Sequence, residues 1–258
     1  MILAIDVGNT NMEFGVFEGT KLLGSFRLGT KRDITSDEVG LMMSQYFLIN
    51  KIDIEQLTDV VISSVVPQVM YSVNNALKKY LHKKPLVVGT NLPVNIENLY
   101  GAPSQVGADR LVNAVAAFAK HQCPLIVVDF GTATTFDAIS RSGAYLGGAI
   151  YPGIRISMEA LFEKTAKLPR IELVNPGSII GRNTVESMQA GAIYGYVGAV
   201  KNIVELMKEQ LGDGCKVIAT GGFSQLLGRE AGIFDFIDRT LTLDGLRMIY
   251  EDYLSKRA

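Results

Sequence analysis

Two apolar runs in this sequence end in the same way. Residues 2–5 lead into Asp6, Val7, Gly8, Asn9, Thr10 and Asn11, and residues 125–128 lead into Asp129, Phe130, Gly131 and Thr132. A Gly-Asn pair after a strand is also an ordinary hairpin turn, so one instance says little. Two at the ends of equivalent strands point to phosphate binding. Glycine has no β-carbon, so backbone N–H groups can close on an anion, and Asn or Thr side chains add donors. A carboxylate repels phosphate, so Asp6 and Asp129 suit such a place only if a hard cation such as Mg²⁺ or K⁺ stands between. A third carboxylate, Asp109 in Gly107-Ala108-Asp109-Arg110, falls at the start of a helical pattern, where the helix dipole favours negative charge. An N-terminal cap explains an isolated Asp there equally well.

The elements that must carry these residues are legible in outline. Strands are expected at about 2–7, 12–17 and 21–28, followed by a helix whose Thr35 and Glu38 have capping-box spacing. "DVVISSVV" reads as a buried strand, Pro67 suits the first turn of the next helix, and "KPLVVG" reads as strand again. Such alternation implies a layered α/β sheet. "PLIVVDFGTATTFDAIS" then repeats the opening logic, which indicates an internal duplication. A gapless alignment sets Asp6 on Asp129, Gly8 on Gly131, Asn9 on Thr132 and Phe14 on Asp137. The boundary between the halves falls near 112–122, giving domains of 1–115 and 116–258. The second half adds "GGAIYPG", a helix near 153–164, a long helix near 184–210, the strand "KVIAT" and a closing helix, "LDGLRMIYEDYL".

Composition narrows the function classes. The chain of 258 residues is 48% apolar, and its 25 Lys and Arg nearly balance its 26 Asp and Glu. Charges are scattered, so no basic face suits nucleic acid, and Lys31-Arg32 and His82-Lys83-Lys84 read as solvated surface. The most apolar long stretch, residues 190–207, is broken by Lys201, Asn202 and Glu205 before it could span a bilayer, so no membrane partner is expected. Cys123 and Cys215 lack ligand spacing, His82 and His121 lack a supporting cluster, and no signal-like start is seen. A cytoplasmic location is expected.

With Thr220-Gly221-Gly222, the two Asp-x-Gly turns resemble the phosphate and adenosine motifs of the acetate and sugar kinase, heat-shock chaperone and actin superfamily. Within it, "VGADR" at 106–110, "GGAIYPG" at 147–153, "TAKLPR" at 165–170 and "GRNT" at 181–184 are similar to the type III pantothenate kinases, over almost the whole chain and in order. The resemblance implies an α/β, duplicated actin-like (ribonuclease H-like) two-domain kinase fold with an inter-domain nucleotide cleft. It also implies ATP-dependent phosphorylation of (R)-pantothenate to 4′-phosphopantothenate, the step that opens coenzyme A synthesis. Asp109 would be the catalytic base, kept ionised by the helix dipole. Residues Asp6, Val7, Gly8, Asn9, Thr10, Asn11, Met12 and Glu13 would form one ATP phosphate wall, with Asp6 facing Mg²⁺ through water. Thr132 would touch ATP phosphate, Asp129 would serve a monovalent cation (K⁺ or NH₄⁺), and Gly221 and Gly222 would approach the adenosine. Tyr100, Gly107, Ala108, Asp109, Arg110 and Thr184 would contact pantothenate.

Plainer readings stand beside several of these. Glu13 can point outward from its strand, Tyr100 can be core, and Thr184 can be the N-cap of the helix it opens. Gly191, Gly195, Gly198 and Ala199 give the 184–210 helix a smooth side, which in water usually means tight packing within a fold. Because the family is dimeric, the resemblance implies a homodimer with that side at the interface. Alternative functions are a related sugar or acetate kinase and a nucleotide-binding regulator of the transcription-accessory type.

Overall fold

The computed structural model describes residues 1–257, which form two compact units. The first comprises Met1–Ile96, Ala102–Ala116 and the chain from Leu241 onward; the second comprises Glu97–Gly101 and Ala117–Thr240.

In the first unit, β1 (Ile2–Val7), β2 (Asn11–Glu18) and β3 (Lys21–Gly29) form an antiparallel meander. Helix α1 (Ser36–Ile49) then leads to β4 (Asp59–Ser64), and α2 (Pro67–Tyr80) leads to a two-residue β5 (Leu86–Val87). Both strands run parallel to β1, in the order β3-β2-β1-β4-β5. Thr35 and Glu38 form the expected capping box, and Pro67 occupies the first turn of α2. Alternation along β1 divides its side chains between two cores. Leu3, Ile5 and Val7 pack with residues of α1 and α2, whereas Ile2 and Ala4 pack with Val112 and Leu246. Val112 lies on α3 (Ala108–His121).

The second unit repeats this topology. Strands β6 (Leu125–Phe130), β7 (Ala133–Ile139) and β8 (Tyr145–Pro152) form the meander. Helix α4 (Ile154–Lys164), an irregular stretch, α5 (Thr184–Ala190), one π-helical turn (Gly191–Gly195) and α6 (Tyr196–Leu211) follow. Strand β9 (Lys216–Thr220), α7 (Ser224–Ala231) and a short β10 (Phe236–Ile237) complete the sheet, in the order β8-β7-β6-β9-β10. Helix α8 (Leu241–Ser255), counted with the second half at the sequence level, packs on β1 and β4 of the first unit. No helix among the described residues is long and apolar enough to cross a membrane.

The duplication holds, but the gapless alignment slips by one residue. Val7 pairs with Met12 across Gly8, Asn9, Thr10 and Asn11, whereas Phe130 pairs with Thr134 across only Gly131, Thr132 and Ala133. Pairing therefore matches Phe14 to Phe136 rather than to Asp137, and both rings are fully buried.

Candidate functional site

In the first unit, the β1–β2 turn is closed by Gly8 N–H donating to the Asn11 carbonyl at 3.0 Å. Thr30, just past β3, holds the turn from the side: its hydroxyl donates to the Gly8 carbonyl at 2.7 Å and its N–H to the Thr10 carbonyl at 2.9 Å. Asn9, Thr10 and Asn11 are exposed at the tip, while Val7 and Met12 send their side chains into the core and leave only backbone to face a ligand. Glu13 pairs across the strands with Arg27 at 2.8 Å.

Alternation places Asp6 on the face of β1 that Ile2 and Ala4 share with α3. Its register partner on β4 is Ser63, fully buried with a hydroxyl that has no hydrogen-bond partner. Beyond the strand ends, Val65 N–H donates to the Val7 carbonyl at 3.1 Å. A β-carbon on Gly107 would lie 3.5 Å from a Val65 methyl group and 2.5 Å from Asp109 Oδ1. Asp109 thus stands at the same end of the sheet as Asp6, and Gly107 leaves room for its carboxylate.

Asp109 is not the N-cap. It sits inside the first turn of α3, and its Oδ1 accepts the Arg110 N–H at 2.8 Å. Burial pushes its pKa above the ordinary carboxylate value, against the lowering effects of that hydrogen bond and of the Arg110 charge. The helix dipole is expected to keep Asp109 ionised and a weak base; desolvation acts in the opposite direction and makes it a stronger base than an exposed Asp. Arg110 itself is buried.

In the second unit, Asp129 ends β6 and Thr132 is exposed at the tip of the β6–β7 turn. Here two other segments press on the turn. A β-carbon on Gly153 would collide with the Gly131 and Thr132 carbonyls, and one on Gly221 with Asp129 Oδ1 and the Phe130 backbone. Gly221 has φ +86°, a conformation suited to glycine. The three motifs "DFGTATT", "YPG" and "TGG" are thereby brought together. Sequence reasoning named Gly153 only as part of a motif, since backbone contact between distant segments leaves no spacing signal.

Beside the Gly221-Gly222 turn lies a hollow of about 420 Å³ lined by Arg155, Phe162, Arg170 and Phe223. The Arg155 guanidinium stands 5.4 Å from the Phe223 ring centroid, and that of Arg170 stands 4.7 Å from Phe162.

Tyr100 is half-buried, with its ring against the backbone of Gly147 and 6.4 Å from the ring of Tyr145. Thr184 is exposed in the first turn of α5, but the cap is Asn183, whose side chain accepts the Glu186 N–H at 3.0 Å. Thr184 borders an apolar hollow of about 570 Å³ with Met158, Leu161, Leu168 and Met188. Gly191, Gly195 and Gly198 are exposed, and among the described residues a β-carbon on any of them would meet no atom within 4 Å beyond its chain neighbours and the helix's own backbone. His121 stacks on Phe236 at 4.1 Å, an ordinary structural contact.

A family model described as type III pantothenate kinase matches residues 2–206. The chain belongs to the type III pantothenate kinase family. The match spans both carboxylate-glycine turns, Asp109 and Thr184, and stops before the Thr-Gly-Gly turn. Solved structures agree on the actin-like, ribonuclease H-like fold. A Baf family protein from Campylobacter jejuni, named as a candidate transcriptional activator, is 21% identical over 98% of this chain and 99% of its own, with a TM-score of 0.59. A candidate 2-dehydro-3-deoxygalactonokinase from Sinorhizobium meliloti is 8% identical over 98% and 99%, with a TM-score of 0.57. The inorganic polyphosphate/ATP-glucomannokinase of Arthrobacter sp. strain KM is 14% identical over 97% and 98%, with a TM-score of 0.50.

Proposed function

We propose that the protein transfers the γ-phosphoryl group of ATP to the primary hydroxyl of (R)-pantothenate, giving 4′-phosphopantothenate. The observation that carries this reading is the placement of Asp109. It is a carboxylate with a raised pKa at the sheet end that also bears Asp6 and the Gly8 turn. In a loose phosphoryl-transfer transition state the acceptor proton leaves late, so a carboxylate is a sufficient base. Asp109 accepts that proton at its carboxylate. Gly107, Ala108 and Arg110 hold the acceptor beside that carboxylate.

The turn of the first unit, from Asp6 to Glu13, takes the β- and γ-phosphates through backbone N–H groups and the Asn9, Thr10 and Asn11 side chains. Thr132 takes phosphate from the second unit, and the hollow at Phe223 and Arg155 beside Gly221 takes the adenosine. No group of three or more His, Cys, Asp or Glu side chains that could hold a metal was found among the described residues. One carboxylate with the buried Ser63 hydroxyl beside it fits Mg²⁺, which keeps most of its waters and binds substrate phosphates. Asp6 would hold it through water, and the ion would neutralise phosphate charge. Asp129 would serve a monovalent cation, K⁺ or NH₄⁺.

The test is coupled ADP release with pantothenate against a panel of sugars and acetate. Turnover with a sugar or acetate alone would move the assignment to a related kinase, and turnover with none would favour a nucleotide-binding regulator. We also propose a homodimer through the open glycine face of the π-turn and α6. Gly195 is exposed and a β-carbon there meets no side chain, so light scattering should show Gly195→Leu folded and shifted towards monomer, with weakened pantothenate binding. A dimeric mutant with normal pantothenate KM would remove that interface.

A further inference from the structure

The π-helical turn Gly191–Gly195 sits between two ordinary helical segments, and such turns often mark functional positions because the extra residue re-aims the side chains that follow. The first side chain after it is Tyr196, which is buried. Its hydroxyl lies 3.0 Å from the Pro152 carbonyl and 2.6 Å from Thr134 Oγ1. A carbonyl only accepts, so the single Tyr196 proton goes to Pro152, and the Thr134 hydroxyl donates to Tyr196. The ring is further fixed edge-on against Tyr151 at 5.5 Å.

These partners flank the second glycine turn. Thr134 is the first residue of β7 to pair with β6 after the turn, and Pro152 ends β8 opposite Ala133. The residue after Pro152 is Gly153, whose backbone is pressed against the Gly131 and Thr132 carbonyls. One buried hydroxyl therefore clamps both strands that set the position of Thr132. Burial pushes the Tyr196 pKa up, so the clamp stays protonated across the working pH range. The same continuous helical run begins at Thr184.

We propose that Tyr196, aimed by the π-turn, is a positioning residue that holds the Gly131–Thr132 turn in its phosphate-binding shape. It acts through Thr134 and Pro152 and touches neither substrate. This rests on assigning that turn to nucleotide phosphate, and it does not depend on the identity of the acceptor.

The experiment measures binding of a non-hydrolysable ATP analogue with Mg²⁺ by titration calorimetry, with no acceptor present. Tyr196→Phe removes the hydroxyl and keeps the ring; Thr134→Val removes the partner hydroxyl, and Thr134→Ser restores it. Nucleotide affinity should fall roughly 3–10-fold in Tyr196→Phe and Thr134→Val, in keeping with one lost buried hydrogen bond, and return in Thr134→Ser. Tyr194→Phe removes a hydroxyl of the same π-turn that bonds the exposed Asn175, and it should bind as wild type. Unchanged affinity in a folded Tyr196→Phe or Thr134→Val, whatever its melting temperature, overturns the proposal. If Tyr196→Phe does not fold, the Thr134 pair decides alone. A wild-type protein that binds no nucleotide would instead remove the phosphate assignment of the turn.

Discussion

The two units share one topology and treat their glycine turns differently. In the first, the turn is held by its own hairpin bond and by Thr30 from the neighbouring strand, so the support is local and polar. In the second, a shorter turn is pressed by the backbones at Gly153 and Gly221, with Tyr196 clamping the strands behind it. The first unit places a carboxylate of raised pKa near its turn, on α3; the second places Gly-Gly and an aromatic hollow beside its own. Duplication thus supplied two similar strand ends, and the segments added around each specialise them. On the proposed function both turns meet phosphate, and only the first has the base beside it.

The largest test of this division is Asp109→Asn. Turnover should fall by ~10²–10⁴-fold with nucleotide affinity unchanged, the usual worth of a positioned acid–base group. Stability should move the other way. The raised pKa means that the folded state holds the proton more tightly than the unfolded chain. The stabilisation is present at pH below the unfolded value and is lost as pH rises through the folded value, leaving a net cost at neutral pH. Asp109→Asn should therefore melt no lower than wild type at pH 7–8, and the acid limb of wild-type kcat should lie above an ordinary Asp titration. Near-normal turnover would remove the base and with it the contrast between the units.

Next in size is the cation dependence assigned to the second unit. Replacing K⁺ by Na⁺ at constant ionic strength should depress the rate strongly, with Mg²⁺ still required. Equal rates in the two salts would leave Asp129 a structural residue against which Gly221 packs.

Much of this was legible before any coordinates, because strand alternation, the capping box and the carboxylate-glycine turns are local patterns. What escaped the sequence is non-local. The one-residue slip between hairpins shows only in strand pairing, which matches Phe14 to Phe136. The docking of α8 on β1 and β4 depends on contacts across nearly the full length of the chain. Asn183 rather than Thr184 is the cap because Asn and Thr both suit that position and neighbouring candidates cannot be told apart by residue type. Desolvation of Asp109 depends on what packs around it, and spacing carries no trace of that.

The unequal supports predict unequal tolerance at the glycines. Gly221→Ala places a side chain at φ +86° and into backbone and Asp129, so a loss of ~1–3 kcal/mol with weaker nucleotide binding is expected. At Gly8 the new carbon would meet the Asn11 carbonyl at 3.1 Å, a contact that a small shift relieves, so about 1 kcal/mol or less is expected. Denaturant titration of the two variants compares them directly, and equal losses would mean that the turns are supported alike.

The smallest effect contrasts two tyrosines. Tyr250 on α8 donates to Asp59 Oδ2 at 2.6 Å, at the start of β4 and so at the end of that strand away from Ser63 and the Gly8 turn. Tyr196 makes its bonds beside a turn; Tyr250 makes its bond far from one. Tyr250→Phe should therefore cost roughly 1 kcal/mol of stability, the usual net worth of one hydrogen bond, with nucleotide affinity untouched. Its pH signature separates it from a generic packing loss. Burial and the Asp59 hydrogen bond push the Tyr250 pKa up to about 12. A raised pKa contributes stability that is fully present below the unfolded tyrosine value near 10 and is lost as pH rises towards 12. Wild-type stability should accordingly decline faster than that of Tyr250→Phe across this window, so that the two curves converge. Parallel curves would show that Tyr250 serves packing alone, and a change in nucleotide affinity would erase its contrast with Tyr196.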